Sequence, residues 1–447
     1  MVAGGWARGM IRILPGDMLA VLPTLPADSI DSCVCDPPYH LQSIHKRFAK
    51  TSLQDDTQTS QRSRDRSDGY ARAASGFMGR KWDGGDIAFR PETWAEVLRV
   101  LKPGAHLMAF GGTRTSHRMA CAIEDAGFEI RDTLCYLYGS GFPKSHDVSK
   151  AIDKTCGAVR EVIGVSDRHT SKTGSRDFAD GQGGFKSTEE GGNPLTVPST
   201  DDAKKWSGWG TALKPAHEPI ILARKPLSEH TVAANVLRWG TGALNIDGCR
   251  IELADGEPLN DGLQGDYVRM GTGAVDSQWG FKRVDRAAGL GRWPANVCHD
   301  GSDEVLAGFP KSAGQQGDVL GTEPSQPLGG AVFGQGLGRK ADMARGDTGS
   351  AARFFYTSKA DATDRLQSRH PTVKPVDLIR WLVRMVTPAS GTVLDCFAGS
   401  GTTGMAAMAE GFSAILVERE AEYVADIRRR VAHVQGDDTP LFAEIAT

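Results

Sequence analysis

The chain has 447 residues, 40% of them hydrophobic, and a formal net charge of −3. This suggests two or three domains around a packed core, with any polyanion binding left to a local basic surface. No apolar run approaches the ~20 residues of a membrane span and no charged-then-apolar leader opens the chain, so a cytoplasmic protein without membrane contact is expected. The eight cysteines are scattered, with Cys33, Cys35, Cys135 and Cys396 in apolar stretches. That is the pattern of reduced, buried thiols, and no pair of CxxC elements suggests a metal site.

In chain order, Met10-Ile11-Arg12-Ile13-Leu14 reads as a strand and Pro15-Gly16-Asp17 as a turn. Met18, Leu19, Val21, Leu22 and Leu25 then mark a short helix, and Ser32-Cys33-Val34-Cys35 a buried strand. This βαβ opening predicts a parallel sheet. Asp17 stands at a strand end, where open α/β sheets carry ligand-binding residues, and equally fits a helix N-cap. Asp36-Pro37-Pro38-Tyr39 follows the second strand. The prolines remove two backbone donors and end the ladder, leaving a rigid group of acceptors beside an aromatic plate. That suits gripping the amino group of a flat heterocycle, although a plain strand-ending turn uses the same residues.

Residues 40–81 are polar and basic and read as a long flexible loop. A helix carrying Trp94, Val97, Leu98, Val100 and Leu101 is expected to stop at Lys102-Pro103-Gly104, before a short strand, Leu107–Phe110. A helix through Met119, Ala122, Ile123 and Ala126 precedes a strand over 128–138, which is expected to pair antiparallel with 219–224. A Gly/Ser/Thr-rich segment of about 164–208 between them reads as a flexible insertion. Residues 226–364 have weak periodicity, interleave arginines with Trp279, Phe281, Trp293 and Phe333, and include a Gly-rich tract at 313–338. They read as an inserted loop-rich domain whose arginines and aromatics suit base contacts and stacking.

After residue 365 the α/β pattern returns. His370-Pro371-Thr372-Val373-Lys374-Pro375 leads into a helix. Thr392-Val393-Leu394-Asp395-Cys396-Phe397 is a strand, and Gly399-x-Gly401-x-x-Gly404 opens the next helix. Glu418 ends the following strand. Glycines that let a ligand approach the backbone, with an acid placed for ribose hydroxyls, form a nucleoside-cofactor fingerprint. NAD or FAD fits the literal pattern. Asp395 and Phe397 at the strand end favour a cationic ligand over a pyrophosphate, which points to S-adenosylmethionine.

Asp36-Pro37-Pro38-Tyr39, Phe397-Ala398-Gly399-Ser400-Gly401-Thr402-Thr403, the 370–375 run and Gly16-Asp17 together resemble the DNA amino-methyltransferases. The order, catalytic motif before cofactor motif, resembles their β class. The resemblance implies a doubly wound α/β fold whose mostly parallel, seven-stranded sheet has one antiparallel strand. Residues 1–225 and 365–447 would form the catalytic and cofactor-binding halves, with a target-recognition domain at 226–364. It implies that Asp36, Pro37, Pro38 and Tyr39 hold a flipped adenine of double-stranded DNA for N6 methylation. Glu418 would hold the cofactor ribose, Asp17 the adenine amino group, and Lys374 with Thr372 the methionine end. Asp395, Phe397, Gly399, Gly401, Thr402 and Thr403 would line the remainder. The alternatives are N4-cytosine methylation, for which the family usually carries Ser in place of Asp36, and, more distantly, an NAD(P)-dependent oxidoreductase. The family resemblance also implies a homodimer and a companion restriction enzyme.

Overall fold

The computed structural model describes residues 9–39, 86–141, 145–165, 194–253, 266–269, 281–284, 291–311, 349–358, 362–366, 368, 370 and 372–435. The loop expected at 40–81, the first part of the 164–208 insertion and the Gly-rich tract at 313–338 lie outside these residues. The chain divides into two compact units. The first comprises Met1–Ser43, Lys81–Gly139 and His217–Thr447, the second Ile44–Arg80 and Ser140–Ala216.

The strands, in chain order, are β1 (Ile11–Pro15), β2 (Ile30–Cys35), β3 (Leu101–Phe110) and β4 (Glu129–Leu137). β5 (Val162–Val165) and β6 (Pro194–Thr196) fall in the second unit, and β7 (His217–Arg224) returns to the first. β8 (Asp266–Arg269) and β9 (Phe281–Val284) form a separate antiparallel pair. β10 (Val297–His299), β11 (Tyr356–Thr357), β12 (Thr392–Asp395) and β13 (Ser413–Glu418) complete the set.

The first unit is built on one sheet of order β1-β13-β12-β2-β3-β7-β4-β10-β11. Every neighbouring pair is parallel except β7, which is antiparallel to β3 and β4. The expected pairing of 128–138 with 219–224 is therefore present, as Glu129↔Arg224 through Leu137↔His217. The sheet has nine strands, not seven. The two additions, β10 and β11, lie beyond β4, with Val297↔Cys135 in register. They cover an edge that would otherwise expose unpaired backbone groups. Runs of three and two residues are too short to register as strands from alternation alone.

Alternating side chains of the central strands point to opposite faces. Val34, Met108 and Phe110 join one core with Trp381, Leu382, Ala406 and Ile427. These last come from the helices Val376–Val386, Thr402–Ala409 and Ala421–Gln435. Cys33, Cys35, Leu107 and Ala109 face a second core containing Met18, Trp94, Val97 and Ile123. The helices Pro91–Val100 and Ser116–Asp125 cover that side. Helices on both faces of a mainly parallel sheet make the doubly wound α/β fold.

Lys102-Pro103-Gly104 does not separate helix from strand: β3 begins at Leu101, directly after the helix. Gly104, at φ +81, donates its N–H to the Lys225 carbonyl (3.1 Å), so the turn chemistry is absorbed into the ladder. The helix Val232–Trp239 lies in the stretch of weak periodicity. Thr231 caps its start, and Gly240, at φ +77, its end. Only Asn235 is buried, its amide donating to the carbonyls of Pro103 and Thr241 (both 2.8 Å). Its apolar residues stay half-buried or exposed, so it is anchored by this amide and not by a buried apolar face.

In the second unit, the helix Val148–Thr155 carries Asp153, 1% exposed. Its carboxylate accepts from Arg160 (2.9 Å), from the N–H groups of Ser199 and Thr200 (3.0 Å each) and from the Thr200 hydroxyl (2.8 Å). The segment expected as a flexible insertion is thus partly regular, with β6 and the helix Asp201–Lys205. A buried carboxylate meeting its bonds from distant residues organises it where apolar periodicity does not.

Candidate active site

β12 pairs directly with β2, with Leu394 opposite Cys33. The Asp36 tetrapeptide and the loop after Asp395 therefore leave the sheet side by side, at the carboxyl edge where open α/β sheets bind ligands. Residues some 360 positions apart are joined by strand order.

Pro37 is buried; Asp36, Pro38 and Tyr39 are half-buried. The Tyr39 hydroxyl donates to Asp36 Oδ1 (2.8 Å), and its carbonyl accepts from the Thr115 hydroxyl (3.0 Å). The Lys374 ammonium lies 2.8 Å from Glu218 Oε2, 3.3 Å from Asp36 Oδ2 and 3.0 Å from the Tyr39 hydroxyl. It also sits 4.6 Å from the Phe110 ring centroid, a cation–π arrangement. Burial works to depress the Lys374 ammonium, but Asp36 and Glu218 outweigh it and push it up. Burial, then the same two carboxylates, pushes the Tyr39 phenol well up. A charged lysine and a neutral phenol thus brace the Asp36 carboxylate, whose two oxygens retain acceptor capacity. The structure brings Lys374, from the 370–375 run, beside Asp36.

In the loop after β12, Gly399 and Gly401 take φ +50 and +77, a region costly for residues with a Cβ. A Cβ at Gly399 would stand 3.1 Å from His370 Nε2, and one at Gly401 2.9 Å from Ile427. Glu418 accepts the N–H groups of Gly399 and Glu420, both at 2.8 Å. Its carboxylate is oriented and keeps lone pairs for further donors. Burial pushes its carboxyl up. Asp395 accepts the Phe397 N–H (3.0 Å) and the Thr403 hydroxyl (2.6 Å), closing the loop on itself. Burial pushes Asp395 up to about 8, with those hydrogen bonds acting in the opposite sense. Thr402 is buried against Ser400 Oγ (3.1 Å).

Asp17 lies at the end of β1, beside β13, where Pro15 is opposite Glu418. Its side chain accepts from the Leu19 N–H (2.9 Å) and caps a helix. Thr372 is exposed, with its carbonyl 2.8 Å from His370 Nδ1. The groups gathered along this edge suit a nucleoside with a cationic tail: glycines at close approach, an oriented acid for hydroxyls, and an aromatic, Phe397.

Four further residues at the site went unread in the sequence. Glu218 is the second residue of β7, and because β7 runs antiparallel to β3 and β4, its first residues reach the carboxyl edge of the sheet. Phe110 ends β3. Arg430, fully buried, donates to Thr402 Oγ1 (3.1 Å), the Ser400 carbonyl and the Asp364 carbonyl, tying the glycine loop from behind. His370, buried edge-on to Tyr423 at 4.6 Å, has its imidazole pKa lowered by burial. Of these only His370 had a signal, its place in the 370–375 run. Beneath the site, Cys33, Cys35 and Cys396 gather with sulfurs within 4.8 Å of one another. Burial pushes the Cys33 thiol well up, the state of an inert core cysteine.

Type II methyltransferase M.HindIII of Haemophilus influenzae is 27% identical over 157 residues, covering 34% of this chain and 37% of that protein. Type II methyltransferase M.BglI of Bacillus subtilis is 40% identical over 71 residues, covering 16% of this chain and 19% of its own length. The matched stretches thus span well under half of these curated relatives. Among solved structures, PvuII DNA methyltransferase (cytosine-N4-specific) aligns over 96% of this chain and 90% of that one, at 13% identity and a TM-score of 0.40. A family model described as DNA methylase matches residues 30–429, from the start of β2 into the last helix. The chain belongs to the DNA methylase family.

Proposed function

We propose that this DNA methylase transfers a methyl group from S-adenosylmethionine to the exocyclic N6 amino group of adenine in a base flipped out of double-stranded DNA. The observation that carries the reading is the pairing of β12 with β2, which sets the glycine loop beside Asp36. S-adenosylmethionine supplies an electrophilic methyl on a sulfonium, a good leaving group. Glu418 would hold the ribose hydroxyls, Asp17 the cofactor's adenine amino group, and Lys374 with Thr372 its methionine end. Asp395, Phe397, Gly399, Gly401, Thr402 and Thr403 would line the rest.

The target amino nitrogen is shielded in the duplex, so the base must leave the stack at a few kcal/mol. Tyr39 stacks on the extruded base. The Asp36 carboxylate and the Pro37 carbonyl accept its two N–H bonds, which turns the nitrogen lone pair toward the methyl carbon. Lys374 and Tyr39 keep Asp36 in that orientation, and alignment supplies much of the rate. Residues 226–364 would read the DNA sequence, with 1–225 and 365–447 as the catalytic and cofactor halves. A homodimer and a companion restriction enzyme complete the reading, by analogy with the family.

Digesting DNA from an expressing host to nucleosides and identifying the modified base by mass spectrometry tests the assignment. N6-methyladenine is expected; N4-methylcytosine alone would overturn the choice of adenine. Asp36→Ala should lower methylation by about 100-fold or more while leaving DNA binding intact, and unchanged activity would remove Asp36 from its role. Calorimetric binding of S-adenosylmethionine in preference to NAD and NADP is also expected.

A further inference from the structure

A hollow of about 480 Å³ lies between the segment around Phe89 and the helix Ser116–Asp125, lined by Arg114, Thr115, His117 and Arg118 and ending at Asp125. Its rim adjoins the Asp36 tetrapeptide. The Thr115 hydroxyl donates to the Tyr39 carbonyl (3.0 Å), and a Cβ at Gly112 would stand 3.3 Å from Tyr39 Cβ and from its ring.

Arg114, His117 and Arg118 are exposed, and none of the three forms an ion pair among the described residues. Arg90, beside Phe89 and Pro91 of the lining, is by contrast matched with Asp86. Against a chain charge of −3, Arg114, His117 and Arg118 gather away from the single carboxylate of the lining, Asp125, and form a local site for an anion. Phosphate contacts are what position a protein on DNA before any base is read.

We propose that this hollow grips a backbone phosphate of DNA beside the target nucleotide, so that the strand is held while the base turns toward Tyr39. This rests on the methyltransferase reading and adds to it a place where the duplex touches the enzyme. Arg114, in the turn before the helix, and Arg118, in its first turn, together neutralise the phosphate charge and release condensed counter-ions. Thr115 couples that grip to the backbone of Tyr39. Because the contact is to phosphate, it acts on every DNA sequence alike.

The test is the affinity of full-length protein for a labelled, mixed-sequence DNA duplex across a salt series. Each neutralised phosphate contributes about 0.9 to the slope of log affinity against log salt, so Arg114→Gln/Arg118→Gln, which releases the one phosphate held here, should be shallower than wild type by about 0.9. The double variant should bind S-adenosylmethionine as wild type does, which shows that the site still folds, and Arg114→Lys/Arg118→Lys should restore most of the slope. An unchanged slope in the glutamine variant, or a lysine variant as weak as the glutamine one, overturns the phosphate contact while leaving the methyltransferase reading intact. Wild type that binds no duplex at any salt overturns both.

Discussion

One ammonium, on Lys374, serves two carboxylates and a phenol from two separate parts of the chain, the Asp36 tetrapeptide and the start of β7. Removing it would leave Asp36 and Glu218 facing one another without a cation, a like-charge arrangement that is costly when partly buried. Asp395 shows the same physics from the other side. Its carboxyl is raised by burial to about 8, whereas an unfolded chain titrates it near the usual value of ~3.9. The native state therefore keeps its proton while the unfolded state loses it, and stability falls as pH rises between about 4 and about 8. Asp395→Asn keeps the shape without the titration, so its stability, read from denaturant midpoints across that range, should fall less with pH than wild type. Parallel profiles would mean that Asp395 does not titrate this way. At this scale the contiguous motifs were legible, because Asp36 to Tyr39 and Gly399 to Gly404 carry their chemistry within a few residues. Glu218 and Arg430 were not, since nothing local distinguishes an acid near the start of a strand or an arginine on an amphipathic helix from surface charge.

Among the elements, the turn after β12 is tightly constrained. Gly401 has φ +77, and a Cβ there would meet Ile427 on the helix Ala421–Gln435. Gly401→Ala should destabilise the protein by about 1–2 kcal/mol from the left-handed backbone alone, with a further cost from displacing Ile427. Thermal unfolding measures that loss, and weakened S-adenosylmethionine binding should accompany it. A variant as stable as wild type would show that the loop relaxes freely. The strands around this turn were readable as short, wholly buried apolar runs, and the helix Thr402–Ala409, buried on nearly every side, from the glycine turn that opens it. The helix Val232–Trp239 and strands β10 and β11 were not. One is fixed by a single buried amide, and the others by pairing with an edge that the sequence does not display.

For the molecule as a whole, the doubly wound plan follows from the early βαβ pattern and its return after residue 365. The nine-strand count needed the three-dimensional pairing. Within that sheet, β4 and β7 form one antiparallel pair whose last register is Leu137↔His217. Everything between those partners, roughly 80 residues, leaves and re-enters the sheet at neighbouring positions. Loop closure grows by only about 0.6 kcal/mol for each doubling of length, so the hairpin is nearly indifferent to what its tip carries. Replacing residues 140–215 by a short turn should leave a chain that unfolds in one cooperative transition and keeps its sheet content by circular dichroism. Loss of that transition would show the segment to be required for folding. The tip of this hairpin is thus a natural splice point, where length can change without moving a strand of the reaction site.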